Sequence, residues 1–567
     1  MKRLVIIFAV FLSAIVGWAA YQEVAKPAQH ELAGLMPQDA LIFIEAKDFG
    51  SILRQWNSSP QQQLWLKSDN HEAFSRSHLF LRLSQAQEEF ASAAGVSPDN
   101  AFLNEVAGER SALGVYDIGK LEMLYITHLP SAKAMNSALW QQRGHFESRE
   151  SAGHKFYVRT DAKSERMVAF AVEDDYMILG TREDLVAGAL TLLADQKASA
   201  LSQQAWLVDA LKMAHRDASD MRMAIHLAAV VKTPQFRTYW IQRNVTEMKG
   251  YESSVSDLYL SSTTYREERS LTLKNSEGAA PEDGTQVAEL MRLVPAEIGF
   301  YRAVASPPLE DSLALLEQGV LMPQRGPEPE SKVAPPAAAG AQDAGSAANL
   351  EERIDVPPAV STIDKSGDEA LRALLKTANV RAGLQLNRSE TASDGVFVHL
   401  YSTMILVGAA DWSEEAAQRA VQRLLAPGIT AANLGIGWRR AGGKDSYLEL
   451  DGLSHIALAV RGKYLFIGND PQTIAAALSH LADKSSASPA LYCAGFDHNR
   501  ERQNFYRLTS LVDRPSRNGN NNPDGEPEFF SQNAASFSKS MAAVKSQSIV
   551  VTRDGGLERQ TVTYQWQ

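Results

Sequence analysis

The chain has 567 residues, of which 45% are hydrophobic and 22% are charged, and its formal net charge is −11. This composition is that of ordinary globular domains and excludes wholesale disorder. An acidic chain without a basic run is also a poor nucleic-acid binder, because that activity needs a dense positive surface. The length is sufficient for several domains.

The N-terminus has the pattern of a membrane-targeting segment. Lys2 and Arg3 precede the uncharged apolar run Leu4–Ala20, which is at the lower limit of a spanning helix (about 17–25 residues). We predict that residues 1–21 are a signal anchor or a signal peptide, with the remainder exported. Trp18 and Tyr21 favour an anchor in the cytoplasmic membrane, facing the periplasm or the outside. Cleavage near Ala19, giving a free periplasmic protein, is the alternative.

The sequence contains an internal repeat. Residues 167–195 align without a gap on residues 455–483, and the lead-in around Pro37 resembles the one around Pro295. Such self-similarity predicts a duplicated fold. We predict a first repeat at residues 32–275, a linker at 276–286 and a second repeat at 287–567. The second repeat is longer because of residues 322–360, a Pro- and Ala-rich insert predicted to be disordered.

Within each repeat, short apolar strands alternate with helical patterns. Helices are predicted at Phe49–Trp56, Ser131–Gln142, Asp184–Ala194, Leu309–Val320, Trp412–Leu425 and Pro471–Ala482. The strands around them form predicted hairpins: 113–116 with 121–127, 168–172 with 176–179, 396–401 with 404–407, and 456–460 with 464–467. Short turns imply antiparallel neighbours. We therefore predict an α+β fold of two homologous lobes, each a mainly antiparallel sheet with helices on one face, after one N-terminal apolar helix.

Several motifs resemble functional sites but lack an essential part. Gly180-Thr181 and Gly468-Asn469 recur at a strand-to-helix junction, where a structural turn is favoured over anion binding. The glycines of 435–444 miss the spacing of a phosphate loop, which argues against nucleotide binding. Asn520, Asn522, Asp524 and Gly525 start a calcium-loop pattern, but position twelve is Ser531 instead of a carboxylate.

The remaining reactive side chains also have structural interpretations. Residues 497–501, which include His498, form a polar helix start that lacks further metal ligands at helical spacing. Cys493 is the single cysteine and lies in an apolar run, so it is predicted to be a buried thiol. The sequence therefore predicts no catalytic residue, no cofactor and no metal site.

One repeated surface pattern points to an interface. Short helices that carry aromatic and Arg residues follow a strand in both repeats, and such residues often anchor protein interfaces. They equally suit a helix whose aromatic face packs on a sheet. If they form an interface, the candidates are Arg237, Tyr239, Trp240, Tyr506 and Arg507.

Residues Leu35–Phe49 (LMPQDALIFIEAKDF) resemble the mature N-terminus of an uncharacterised family of exported bacterial proteins, which has a Leu-Pro-x-Asp-Ala-Leu pattern. The resemblance is specific over these residues and looser elsewhere. It implies a bacterial cell-envelope protein and adds no catalytic residue.

These observations favour a non-catalytic protein that binds or scaffolds other envelope proteins while its N-terminal segment holds it to the membrane. Two alternatives stay open. One is a carrier that holds an apolar ligand between sheet and helices. The other is an envelope hydrolase whose active site is assembled only in space.

Overall fold

A computed structural model of the chain describes residues 31–194, 199–215, 218–235, 248–274, 284–316, 320, 365–391, 398–429, 437–443, 446–450, 455–485, 487–512 and 542–566. The predicted N-terminal helix and the insert residues 322–360 lie outside these residues, as do residues 276–283 of the predicted linker; its last two residues begin a helix, Thr285–Met291. Within the described ranges every helix is too short or too polar to cross a membrane.

The described residues form a mixed α+β structure, as predicted. Its helices are α1 Phe49–Asn57, α2 Pro60–Leu66, α3 Asp69–Ser75, α4 His78–Ala94, α5 Asn100–Val106, α6 Ser131–Ala134, α7 Ala138–Gln141, α8 Glu183–Ala194, α9 Ala205–Met213, α10 Leu227–Val230, α11 Thr285–Met291, α12 Leu309–Leu316, α13 Lys365–Ala378, α14 Glu414–Ile429, α15 Pro471–Ser479 and α16 His498–Val512.

The strands of the N-terminal half are β1 Ile42–Lys47, β2 Arg110–Asp117, β3 Glu122–His128, β4 Glu147–Ser151, β5 His154–Thr160, β6 Met167–Glu173, β7 Tyr176–Gly180, β8 Met221–Ile225, β9 Tyr251–Leu260 and β10 Thr264–Leu273. Those of the C-terminal half are β11 Phe300–Ala305, β12 Val380–Thr391, β13 Val398–Gly408, β14 Trp438–Ala441, β15 Tyr447–Leu450, β16 Ile456–Arg461, β17 Tyr464–Gly468, β18 Tyr492–Asp497, β19 Val544–Asp554 and β20 Leu557–Trp566.

The chain divides into two compact units. The first contains residues up to Leu53 and Gln85–Asp209, and the second contains Arg54–Ser84 and Ala210–Gln567. In the first unit an antiparallel sheet has the strand order β1-β2-β3-β7-β6-β5-β4. A core of buried side chains lies between this sheet and helices α4 to α7, with Phe170 and Leu139 fully buried.

The second unit contains a longer antiparallel sheet. Strands β11 to β17 follow the order β11-β12-β13-β17-β16-β15-β14. The sheet continues from β11 through β18, β19, β20, β10 and β9 to β8. All of these pairings are antiparallel, which confirms the prediction drawn from the short turns.

Helices cover both faces of β11–β17, whereas the sequence predicted one covered face. Met404 and Leu406 pack with α12, α13 and α14, while their neighbours Ile405 and Val407 pack with α11 and α15. Because successive side chains of a strand point to opposite faces, a strand that is apolar at every position requires cover on both sides. The prediction was wrong here because it did not apply that rule to β13 and β16.

Two further predictions were wrong in detail. Residues 396–401 and 404–407 do not form a hairpin, since β13 is one strand and pairs with β12. The helix predicted at Ser131–Gln142 is two short helices, because Ser137 accepts a hydrogen bond from the Trp140 amide and starts a new helix.

Candidate functional site

The candidate interface residues of the second repeat lie on α16. Arg237, Tyr239 and Trp240 lie outside the described residues. Tyr506 and Arg507 are in α16, which directly follows β18 and packs against β12 and β19. The site is therefore built from one helix and the sheet strands beneath it.

The first turn of α16 is capped by its own sequence. The carboxylate of Asp497 accepts a hydrogen bond from the Arg500 amide at 3.1 Å, which satisfies one of the free amides at the helix N-terminus. This confirms the prediction of a polar helix start. Across the described part of the chain, no three His, Cys, Asp or Glu residues are grouped closely enough to hold a metal ion.

The face of α16 that meets the sheet is polar. His498 is 8% exposed and Glu501 is 6% exposed, and these two positions are one helical turn apart. Ser389 of β12 donates a short hydrogen bond to Oε2 of Glu501. Oε1 of Glu501 has no hydrogen-bond partner among the described residues. It lies against Gly299, where any side chain would overlap it.

His498 is held between aromatic and polar neighbours. Its ring is perpendicular to that of Phe496, with centroids 4.5 Å apart. Its Nε2 has no partner among the described residues, and burial lowers the pKa of the imidazole. The ring is therefore neutral at neutral pH.

Further along α16, the polar contacts with β12 continue. The Thr391 hydroxyl donates to Oδ1 of Asn504 at 2.8 Å and accepts from Nη1 of Arg507 at 3.0 Å. Arg507 is thus fixed by the sheet and takes part in the packing of the helix.

Two aromatic residues of α16 are partly exposed. Phe505 is 37% exposed and Tyr506 is 36% exposed, and Phe505 also contacts the ring of Phe496 at 6.2 Å. We call Phe505 and Tyr506 the aromatic face of α16. An ordinary surface helix buries its apolar residues and exposes its charged ones. Over the residues from His498 to Arg507, α16 departs from that arrangement at four positions, because His498 and Glu501 are buried while Phe505 and Tyr506 are partly exposed.

The two recurrent Gly motifs have structural roles. Thr181 accepts a hydrogen bond from the Met123 amide at 2.8 Å through its hydroxyl. In the same way, Asn469 accepts one from the Ser402 amide at 2.7 Å through Oδ1. Both side chains therefore tie the end of a hairpin to the neighbouring strand. This differs from the predicted helix cap, which in the second repeat is Asp470.

The Gly-rich stretch also has the predicted structure. β14 and β15 are paired, and Gly442 and Gly443 between them have positive φ angles of 90° and 54°, a conformation that favours glycine. The four residues of the calcium-loop pattern lie outside the described residues. Cys493 is buried, as predicted.

Sequence reasoning missed a second cluster, on β9 and β10. Nε2 of His215 is 3.3 Å from Oε2 of Glu268, and its Nδ1 is 3.2 Å from the Tyr259 hydroxyl. The Arg266 guanidinium lies over the Tyr259 ring at 4.5 Å. The residues come from three elements and have no common sequence spacing, so no motif signals them. They come together in the structure because Arg266 of β10 pairs with Tyr259 of β9, a register that the sequence does not reveal.

A groove of about 380 Å³ lies between α13 and α14. Its walls are mainly small or apolar side chains, including Ala370, Ala373, Leu374, Trp412, Ala416 and Ala420. Arg419 and Arg423 also line it. It differs from the predicted carrier site, because it lies between two helices and not between sheet and helices.

The comparisons with known proteins add little. No protein-family model and no curated protein matches the chain. Among solved structures, it is similar to crystal forms I, III and IV of TP0453, with sequence identities of 12%, 10% and 8%. The matches cover 44%, 44% and 43% of this chain and 81%, 82% and 81% of the other, each with a TM-score of 0.23. Similarity this weak carries no argument about function.

Proposed function

We propose that the protein is a non-catalytic binding or scaffold protein of the bacterial cell envelope, tethered to the cytoplasmic membrane by residues 1–21. Its partner is another envelope protein, bound at the aromatic face of α16. The observation that carries this proposal is the burial pattern of the helix, in which His498 and Glu501 are buried while Phe505 and Tyr506 are partly exposed. Exposed aromatic residues beside a fixed Arg are typical of binding surfaces.

Burying Glu501 while Phe505 and Tyr506 stay partly exposed has an energetic cost. Burying Glu501 with an unpaired Oε1 destabilises the folded chain, because a buried polar atom without a partner loses its hydration. Leaving aromatic surface in water forgoes about 25 cal/mol of stabilisation per Å². A partner that covers Phe505 and Tyr506 recovers the stabilisation that their exposed aromatic surface forgoes. This supports a binding role for the aromatic face of α16.

We also propose that the two repeats are copies of one α+β module. The strand order β1-β2-β3-β7-β6-β5-β4 is the same as β11-β12-β13-β17-β16-β15-β14 when each strand is replaced by its counterpart. The register supports this too: Ala169 pairs with Gly180, and the aligned Ala457 pairs with Gly468. Both hairpin turns also place a positive φ at the aligned positions Asp174 and Gly462.

Export and tethering rest on the apolar N-terminal run and on the resemblance of Leu35–Phe49 to exported proteins. Protease added to intact spheroplasts tests this, with the chain detected by an antibody against its C-terminal half. Digestion only after lysis would place the chain in the cytosol and overturn the proposal. Membrane extraction at alkaline pH separates a retained anchor from the cleaved periplasmic alternative.

Binding is tested by cross-linking and pull-down of the full chain from membranes in mild detergent. We expect specific envelope proteins to co-purify and to be lost in the variant Phe505→Ala/Tyr506→Ala. The matched control is Met135→Ala, since Met135 is 41% exposed and belongs to the first unit, whereas α16 belongs to the second. Adding Tyr239→Ala and Trp240→Ala tests the corresponding segment of the first repeat. Recovery of the bait alone would contradict the proposal.

The groove between α13 and α14 favours a second candidate, a carrier. Its apolar wall suits a hydrocarbon chain, and Arg419 and Arg423 suit an anionic end. The test is displacement of a fluorescent fatty acid from the full chain, compared with the variant Ala416→Trp, which fills the groove. Equal binding by both proteins would exclude this groove as the site.

A further inference from the structure

The helical segment Arg54–Ser84, which belongs to the second unit, has no core beneath it. None of its residues with a described side chain is buried. Four large apolar residues in it are about half exposed: Trp56 at 50%, Leu66 at 52%, Leu81 at 54% and Leu83 at 46%. Such a concentration of exposed apolar side chains marks an interaction surface.

The segment is nevertheless held together by its own aromatic rings. Trp65 contacts His71 and Phe74 with centroids 5.9 and 6.1 Å apart, and Phe74 contacts Phe80 at 5.5 Å. Ser59 caps α2 by accepting a hydrogen bond from the Gln62 amide. These contacts link α2, α3 and α4 into a local helical unit that presents its remaining apolar side chains outward.

The charge of the segment opposes that of the chain. Residues 54–84 contain four Lys or Arg and two Asp or Glu, whereas the whole chain has a net charge of −11. Exposed Trp and Leu residues together with a positive charge are the two features by which helices bind the interface of anionic bilayers. The segment also follows the predicted anchor closely in sequence, which keeps it near a membrane.

We propose that Arg54–Ser84 is a membrane-surface module that lies in the headgroup region of an anionic bilayer and inserts Trp56, Leu66 and Leu81. This inference rests on the proposed function in taking the chain to be tethered at its N-terminus. It adds a second, independent membrane contact.

The experiment uses the full chain reconstituted into vesicles of phosphatidylcholine with or without phosphatidylglycerol. An environment-sensitive fluorophore is attached at Leu66→Cys, with Leu400→Cys as the control. Labelling is selective because Cys493 is buried and burial raises its pKa to about 11. Spin-labelled lipids report contact with the bilayer by quenching the fluorophore.

We expect at least threefold stronger quenching at position 66 than at position 400 in anionic vesicles, and a weaker difference in neutral ones. Adding Leu81→Ser should at least halve the quenching at position 66, whereas Leu83→Ser, on the opposite side of α4, should change it less. If the chain floats with the vesicles but both positions quench equally, the surface module is wrong while the tether survives. If the chain does not float at all, both are wrong. A blue shift at position 66 that needs no lipid and grows with protein concentration would assign the surface to a second copy and overturn the lipid proposal.

Discussion

Gly180 and Gly468 stand at aligned positions, but their surroundings differ. A Cβ atom at Gly468 would lie 2.8 Å from the Ser402 carbonyl oxygen and 2.9 Å from Cα of Thr403, both in the backbone of the neighbouring strand. At Gly180 the nearest atom is Cγ2 of Val186 at 3.0 Å, the end of a side chain. A side chain moves more easily than a paired strand does.

We therefore expect Gly468→Ala to lower the free energy of unfolding by about 1–3 kcal/mol, and Gly180→Ala to lower it less. Urea denaturation followed by hydrogen exchange of β13 and β3 measures the two effects separately. If Gly180→Ala proves the more damaging, the structural role assigned to Gly468 is wrong.

The buried imidazole of His498 gives a pH dependence with a definite sign. Burial lowers its pKa in the folded chain from an ordinary value of about 6.5. Below about pH 6.5 the unfolded chain binds a proton that the folded chain does not, so stability falls as the pH falls through this window. The slope from this group is at most about 1.4 kcal/mol per pH unit.

Removing the imidazole should remove that slope. Unfolding of wild type and of His498→Gln, measured at about pH 7.5 and about pH 5.5, should show the larger acid destabilisation in wild type. Equal pH dependence in both proteins would mean that His498 titrates normally.

At the scale of elements, the sequence identified the hairpins and helices that carry a clear local signal. Asp470 and Pro471 predicted the start of α15, and the Asp470 carboxylate indeed accepts a hydrogen bond from the Gln472 amide. The sequence pattern did not reveal that β13 pairs with β12, because the mixed polar and apolar side chains of β12 hide its strand pattern. The helix predicted from Trp412 begins at Glu414, because Ser413 accepts a hydrogen bond from the Ala416 amide.

The polarity of α16 was beyond the reach of sequence periodicity. A sequence pattern gives the positions of the side chains around a helix, but not which of them meet the sheet. Glu501 is buried because Ser389 of β12 donates a hydrogen bond to it and Gly299 leaves it room. Neither residue is near Glu501 in sequence, so the candidates Tyr506 and Arg507 were found without their orientation.

The cap of α15 predicts a graded mutational response. Asp470 accepts hydrogen bonds from Arg388 Nε and the Thr473 hydroxyl, each at 2.5 Å. Burial alone would raise its pKa, but these bonds and the Arg388 charge hold the pKa below its usual value. Asp470→Ala removes both the cap and the partner of a largely buried guanidinium, at a cost of about 2 kcal/mol or more.

Asp470→Asn keeps an oxygen for the Gln472 amide and should cost less than the Ala variant. Chemical denaturation of both variants checks the order. Equal losses would show that the ion pair with Arg388, and not the cap, accounts for the stabilisation.

At the scale of the whole molecule, the proposed duplication predicts that aligned segments are interchangeable. Replacing residues 167–195 by the sequence of 455–483 conserves the register of the hairpin β6–β7, because Ala169–Gly180 and Ala457–Gly468 pair identically. We expect this chimaera to fold and to unfold cooperatively, at lower stability, as judged by calorimetry and circular dichroism.

The control is the same replacement shifted by one residue. That shift turns each side chain of the strands to the opposite face, so it should abolish folding. If both chimaeras fold equally well, or neither folds, the sequence repeat does not reflect a shared module.

The most direct test of the central claim is photo-cross-linking in living cells, with a photoreactive aromatic amino acid in place of Tyr506. We expect a discrete, light-dependent adduct between this position and an envelope protein, and no such adduct from the same residue in place of Met135, which is exposed in the first unit. Equal labelling at the two positions, or adducts with cytosolic proteins alone, would contradict it.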